Sequence, residues 1–202
     1  MNIHKLIDLM TLAEKLKINT RHSWTSTGRH ESVAEHSWRL SLLSYFVKDE
    51  FPNVDINKVI LMSILHDLGE AITGDIPAFE KTETDELVEN LKVKELLEQL
   101  PEPYRSELFS LFAEMNALET PEAKLYKALD KMEAILQHNE ADISTWLPLE
   151  YSLNQTYGEQ DVAFSDYTRQ LKQVLNEQTR AKIESAGERP EAVATDGLPL
   201  LS

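Results

Sequence analysis

With 202 residues, 42% hydrophobic and 27% charged, the chain is long enough for one domain with a sizeable core and has an ordinary globular balance. Its 20 basic and 35 acidic residues leave a formal net charge of −15, which excludes broad binding to nucleic acid or to anionic membrane surfaces. The absence of cysteine excludes disulfides and thiolate metal ligands and suits a reducing, cytoplasmic setting; no apolar run of about 18 residues or more marks a membrane span, so a soluble chain is expected.

Apolar residues recur at helical spacing almost throughout, and no period-two strand stands out, so the fold is read as all-α. Ile3, Leu6, Ile7, Met10, Leu12 and Leu16 form the stripe of a first amphipathic helix ending near Asn19. Residues 20–31, "TRHSWTSTGRHE", read as a polar loop. Ser32 and Glu35 make a capping box that starts a second helix, and "FPNVD" breaks it. Asn53 or Asp55 then starts a helix running to Thr73-Gly74, where glycine readily adopts the left-handed cap. A loop over 75–83 contains Pro77, and helices follow at about 84–100, 104–118 and 121–139, the last with Pro121 in its first turn. "STWLPLE" reads as a bend before a final helix over about 161–186. The terminal "AGERPEAVATDGLPLLS" lacks periodicity and reads as a flexible tail, giving one domain over 1–186 and a tail over 187–202.

One stretch resists a purely structural explanation. "LMSILHDLGEAITGDIP", residues 61–77, places His66, Asp67 and Glu70 in an otherwise apolar run. Imidazole nitrogen and carboxylate oxygen suit manganese, cobalt, iron or zinc better than magnesium. Two ligands hold a metal poorly, so partners are expected from other helices. His36 in "VAEHSWRL" and Asp130 in "YKALDKMEAIL" each interrupt an apolar face. A buried carboxylate without compensation costs several kcal/mol, so Asp130 there calls for a cation or donors. Singly, each residue is as well explained by a helix cap or by a surface pair between Asp130 and Lys127 or Lys131. As a set, H…HD…D on three apolar-faced helices points to one metal centre.

That order, together with "ESVAEHSWRLSLLS", "LHDLGEAITGDIP" and "ETPEAKLYKALDKMEAILQ", resembles the HD-domain metal-dependent phosphohydrolases, and within them the 5′-deoxynucleotidase-type branch. "TRHSW" is similar to that branch's arginine-to-tryptophan element, with Ser23 where related sequences often carry glycine. The resemblance covers roughly residues 5–140. It implies a single-domain helical bundle around a central metal site, with His36, His66, Asp67 and Asp130 holding one divalent ion. It also implies a homodimer and a nucleoside 5′-monophosphate substrate, with the 2′-deoxy form preferred.

The charge arithmetic agrees. A +2 ion with two carboxylate ligands is neutral, so a dianionic phosphate needs a further cation, and Arg21 is the best placed. Glu70, four residues after His66, lies on the same helical face and is expected to poise water for attack. Asp75 is expected to orient the sugar or to pass a proton to the leaving oxygen, with an N-cap or turn role as its structural alternative. Trp24 is expected to pack against the sugar and exclude a 2′-hydroxyl. Gly69 implies a close approach by substrate or by a neighbouring helix. Rival readings are hydrolysis of an alarmone or cyclic nucleotide, and a non-catalytic helical interaction module with a structural metal.

Overall fold

The computed structural model describes residues 1–187, so the expected tail, apart from Gly187, lies outside the described residues. The chain is built from helices with one small hairpin. Helix α1 (Ile3–Glu14) leads through a 3-10 turn (Lys15–Lys17) into strands β1 (Thr20–Trp24) and β2 (His30–Ser32), followed by α2 (Val33–Phe46). Next come α3 (Ile56–Leu65), α4 (Glu70–Thr73), α5 (Glu83–Glu98), α6 (Tyr104–Ala117), α7 (Pro121–Glu140), α8 (Glu150–Thr156) and α9 (Asp166–Ser185). Among the described residues no helix is long and apolar enough to cross a membrane.

The local signals that start these helices act as the sequence suggests. Ser32 accepts from the Glu35 amide while the Glu35 carboxylate accepts from the Ser32 amide at 2.9 Å, completing the capping box of α2. Asp55, rather than Asn53, caps α3 by accepting from the amides of Asn57 and Lys58. Thr120 caps α7, with Pro121 in its first turn.

Four expectations are corrected. The segment read as a loop folds as an antiparallel hairpin pairing Thr20 with Ser32 and Trp24 with His30, with an irregular register between. "TRHSW" shows no alternation because neither face is cleanly solvated, which hides a strand from pattern reading. The long helix expected through Thr73 breaks at residues 66–69, where the Leu68 and Glu70 amides reach back three residues instead of four. Helix α8 was not expected, and the stretch expected to open the last helix is a 3-10 turn (Asp161–Phe164) before Ser165 caps α9. Much of the α1 stripe is exposed, with Ile3, Leu6, Ile7 and Met10 all open to solvent.

Helices α2, α3 and α7 pack against one another, and α9 covers the far side of α7. Leu40, Val59, Met62, Leu125, Leu129, Met132 and Ile135 are wholly buried at these contacts. Each such side chain contributes about 1.5–3 kcal/mol when taken from water. Ser44 and Ser63 share a hydrogen bond at 3.0 Å across the α2–α3 contact, which satisfies two small polar groups in the core. The apolar faces of three helices thereby surround the few polar residues that interrupt them.

Candidate metal centre

The turn after α3 is what assembles the centre. His66 is the last residue bonded in the α3 ladder, its amide donating to Met62 at 2.9 Å, and the tightened backbone beyond it turns Asp67 alongside. His36 projects from α2 and Asp130 from α7. His36 Nε2 lies 3.3 Å from His66 Nε2, 3.2 Å from Asp130 Oδ1 and 4.0 Å from Asp67 Oδ2. His66 Nε2 lies 3.0 Å from Asp67 Oδ2 and 3.7 Å from Asp130 Oδ1. The ligand atoms of His36, His66 and Asp67 all fall within 4.8 Å of one another. The structure brings these four sequence-predicted residues together.

The far sides of the two imidazoles decide what this cluster can hold. His36 Nδ1 is bonded to Glu133 Oε2, and His66 Nδ1 to the Ser63 carbonyl at 3.0 Å. Both partners are acceptors, so in the neutral rings each Nδ1 carries the proton and each Nε2 turns a lone pair inward. Two imidazole lone pairs and two carboxylate oxygens facing one point are four acceptors without a donor. A divalent cation fits that donor set.

The carboxylates draw positive charge into the centre, and protons compete with a cation for the inward nitrogens. Burial opposes charge on His66, but Asp67 and then Asp130 outweigh it and push its pKa up to about 10. Burial and Arg21 work against a proton on His36, yet Glu133 and Asp130 raise its pKa above the ordinary value. Burial would raise Asp130, but Lys127 and Lys131, at 3.1 and 3.7 Å from its Oδ2, hold it well below the usual carboxylate range. Thus Asp130 turns one oxygen to the histidines and the other to the lysines, and its lysine pairs lie at a buried carboxylate rather than at the surface.

Arg21, on β1, stands 3.5 Å from both Asp67 Oδ2 and Glu31 Oε2. These long contacts tie it to the centre without saturating its donors. Glu70 opens α4 and is 4% exposed, with an Oε2 that is buried without a hydrogen-bond partner. Burial, then Asp67 and Asp75, push its pKa up to about 9. Burial likewise raises Asp75, against the pull of Arg21. At Gly69 an added Cβ would meet Val93 Cγ2 at 2.8 Å and Glu89 Cγ at 2.9 Å, so the close neighbour is α5. Gly74, at φ +79, ends α4 in a conformation that glycine adopts freely.

Trp24 stacks on His30 with ring centroids 3.8 Å apart, and its carbonyl accepts from Gln137 at 2.6 Å, docking the hairpin on α7. The ring that joins Arg21 and Asp75 in the adjacent cavity is His22, together with His138, Glu150 and Asn154. Sequence reading assigned no task to His22 or Glu31 and passed over Glu133. Glu133 sits three residues after Asp130 on the same face of α7, and that spacing was the available signal.

The comparisons agree with this geometry. The family model for the HD domain matches residues 13–172. Human 5′-deoxynucleotidase HDDC2 is 32% identical over 139 residues, 67% of each chain. The 5′-deoxynucleotidase hdd1 of Schizosaccharomyces pombe is 29% identical over 65% of this chain and 70% of its own. A Magnetospirillum magnetotacticum protein, described as a predicted metal-dependent phosphohydrolase, superposes with a TM-score of 0.77 at 22% identity, covering 93% of this chain and 98% of that one. A conserved hypothetical protein from Pyrococcus furiosus superposes with a TM-score of 0.59 at 30% identity, over 86% of this chain and 99% of its own. The chain belongs to the HD-domain family of metal-dependent phosphohydrolases and falls in its 5′-deoxynucleotidase-type branch.

Proposed function

We propose that the protein hydrolyses nucleoside 5′-monophosphates to nucleoside and phosphate in the cytoplasm, preferring 2′-deoxyribonucleotides. The observation that carries this reading is the pair of imidazole Nε2 atoms, 3.3 Å apart, held inward by Glu133 and Ser63 beside Asp67 and Asp130. His36, His66, Asp67 and Asp130 would hold one divalent ion, with manganese or cobalt suited to the ligand set and magnesium less so. When bound, the ion supplies positive charge that acidifies water and polarises phosphoryl oxygens.

The chain's own residues do the rest. Arg21 binds the phosphate oxygens with the guanidinium donors its two long ion pairs leave free. Glu70 takes a proton from the attacking water as the new oxygen–phosphorus bond forms; the step uses its ionised form, which Arg21 favours against burial. The bond from phosphorus to the 5′ oxygen breaks, and Asp75, whose burial favours its protonated form, hands its proton to that oxygen. Trp24, stacked on His30 and bonded through its carbonyl to Gln137, fixes the strand that carries Arg21. The relatives named as 5′-deoxynucleotidases support the substrate class.

The test is phosphate release from a panel of deoxy- and ribonucleoside 5′-monophosphates after chelation and return of manganese, cobalt or magnesium. Metal-restored release, higher for the deoxy series, is expected. Activity confined to cyclic or polyphosphate substrates overturns the assignment. A homodimer is part of the same reading. Its support is the exposed apolar side chains of α1 (Ile3, Ile7, Met10) and α2 (Trp38 and Phe46, the last 75% exposed), with Met10 and Trp38 lining one groove. Light scattering should give twice the chain mass, reduced to the single-chain mass by Trp38→Glu.

A further inference from the structure

Beside the centre lies a small cavity of about 70 Å³. Arg21 and Asp75 belong both to its wall and to the charge cluster around Asp67, so whatever the arginine binds opens onto this space. Phe79, from the loop after α4, Ala134 and Ile135, from α7, and Leu153, from α8, provide apolar surface. His22, His138, Glu150 and Asn154 provide polar edges. Resting on the nucleotide reading above, we propose that this cavity is a nucleobase subsite in which the Asn154 amide donates to an acceptor on the edge of the base.

Asn154 carries the argument. It is 4% exposed, and its Nδ2 is buried with no hydrogen-bond partner. A buried donor left unpaired is costly, and such groups in native proteins call for an explanation. This one is held in place from behind. Lys172 Nζ donates to the Asn154 carbonyl at 3.0 Å, and Asn176 Nδ2 donates to the Gln155 carbonyl at 2.9 Å, so α9 pins the turn of α8 that bears the side chain. A donor fixed before the ligand arrives is the arrangement that selects partners.

The remaining lining sets the chemical class. His22 Nε2 and His138 Nε2 approach the same Glu150 oxygen at 3.4 and 3.6 Å, and the other Glu150 oxygen accepts from the Leu147 amide at 2.7 Å. Both histidine approaches are long, and His22 Nε2 is left buried without a hydrogen-bond partner. Among the described residues lining the cavity, Arg21 is the only lysine or arginine. A second phosphate would find no lysine or further arginine there, whereas an uncharged heterocycle meets apolar walls, the fixed Asn154 donor and the unpaired His22 edge. The subsite therefore favours monophosphates over diphosphates and a base over a bare sugar.

The experiment compares kcat/KM for the four common deoxynucleoside 5′-monophosphates with that for 2-deoxyribose 5-phosphate, which has no base. In the wild-type protein the nucleotides should exceed the sugar phosphate by tenfold or more. Asn154→Leu should lower that ratio by about tenfold, the worth of one buried neutral hydrogen bond, chiefly through KM. Ala134→Phe, which fills the cavity from α7, should lower it as well, and its residual turnover of the sugar phosphate reports an intact fold. Equal wild-type rates on nucleotide and sugar phosphate, or an unchanged ratio in both variants, overturn the subsite while leaving the phosphatase standing. A wild-type protein that cleaves no nucleotide overturns the parent reading as well.

Discussion

Two buried polar regions meet at Arg21, and they handle charge in opposite ways. In the metal centre charge is preserved: burial favours the neutral forms, yet Lys127 and Lys131 keep Asp130 ionised, and His66 and His36 do the same for Asp67. In the neighbouring cavity burial prevails. It pushes His138 down to about 4, with His22 and Arg21 adding to the effect, and it raises the Glu150 carboxyl above its usual range. The difference matches what each region would receive. A site for phosphate and a cation keeps fixed charges that stabilise charge during the reaction, whereas a site for a neutral ring has no use for them.

The comparison breaks first at the ligands. Asp130→Ala removes one acceptor from the centre and leaves Lys127 and Lys131 without their partner. Phosphate release should fall by about 10³-fold or more, and added manganese should no longer raise the melting temperature. Metal-dependent stabilisation that survives in this variant would show that Asp130 is a structural counter-ion alone. Glu70→Gln should sit one step lower. With a role in proton transfer and none in ligation, it should reduce kcat by about 10²- to 10⁴-fold while the metal-induced rise in melting temperature persists. Loss of both together would make Glu70 a ligand. Glu133→Gln tests the layer behind. It weakens the bond that holds the His36 tautomer, so metal affinity should fall about 10- to 100-fold with KM for substrate little changed.

The two regions also differ in how plainly the sequence announces them. His36, His66-Asp67 and Asp130 interrupt apolar helical stripes, and a charged residue on a buried face is a strong anomaly because its burial must be compensated. The all-α fold was legible for the same reason, since caps such as Ser32–Glu35 and Thr120–Pro121 are local. The cavity's residues carry no such mark. His22 lies on an irregular strand, Glu150 and Asn154 on a seven-residue helix that periodicity cannot resolve, and His138 near the end of α7. Glu133 is an intermediate case, one glutamate among many on a charged chain, and its role appears only when α2 packs on α7.

The smallest expected effect lies at the cavity's rear wall and sharpens the claim that burial dominates there. Lys172 is 4% exposed, touches the Asn154 carbonyl, and has its pKa pulled by burial from 10.5 down to about 8. The folded protein therefore holds this proton less firmly than the unfolded chain does. Between about pH 8 and 10.5 the unfolded state binds more protons, so this residue's contribution to stability rises with pH. Below pH 8 both states carry the charge, and the folded state bears the full cost of burying it. Lys172→Met removes that cost but strands a carbonyl, so at pH 7 the two effects offset and the variant should melt close to wild type. As the pH rises toward 10 the wild type should gain on the variant, read as diverging melting temperatures in parallel thermal scans. Parallel curves across that range would mean that Lys172 keeps its proton when folded, and that the cavity's rear wall is wetter than its burial implies.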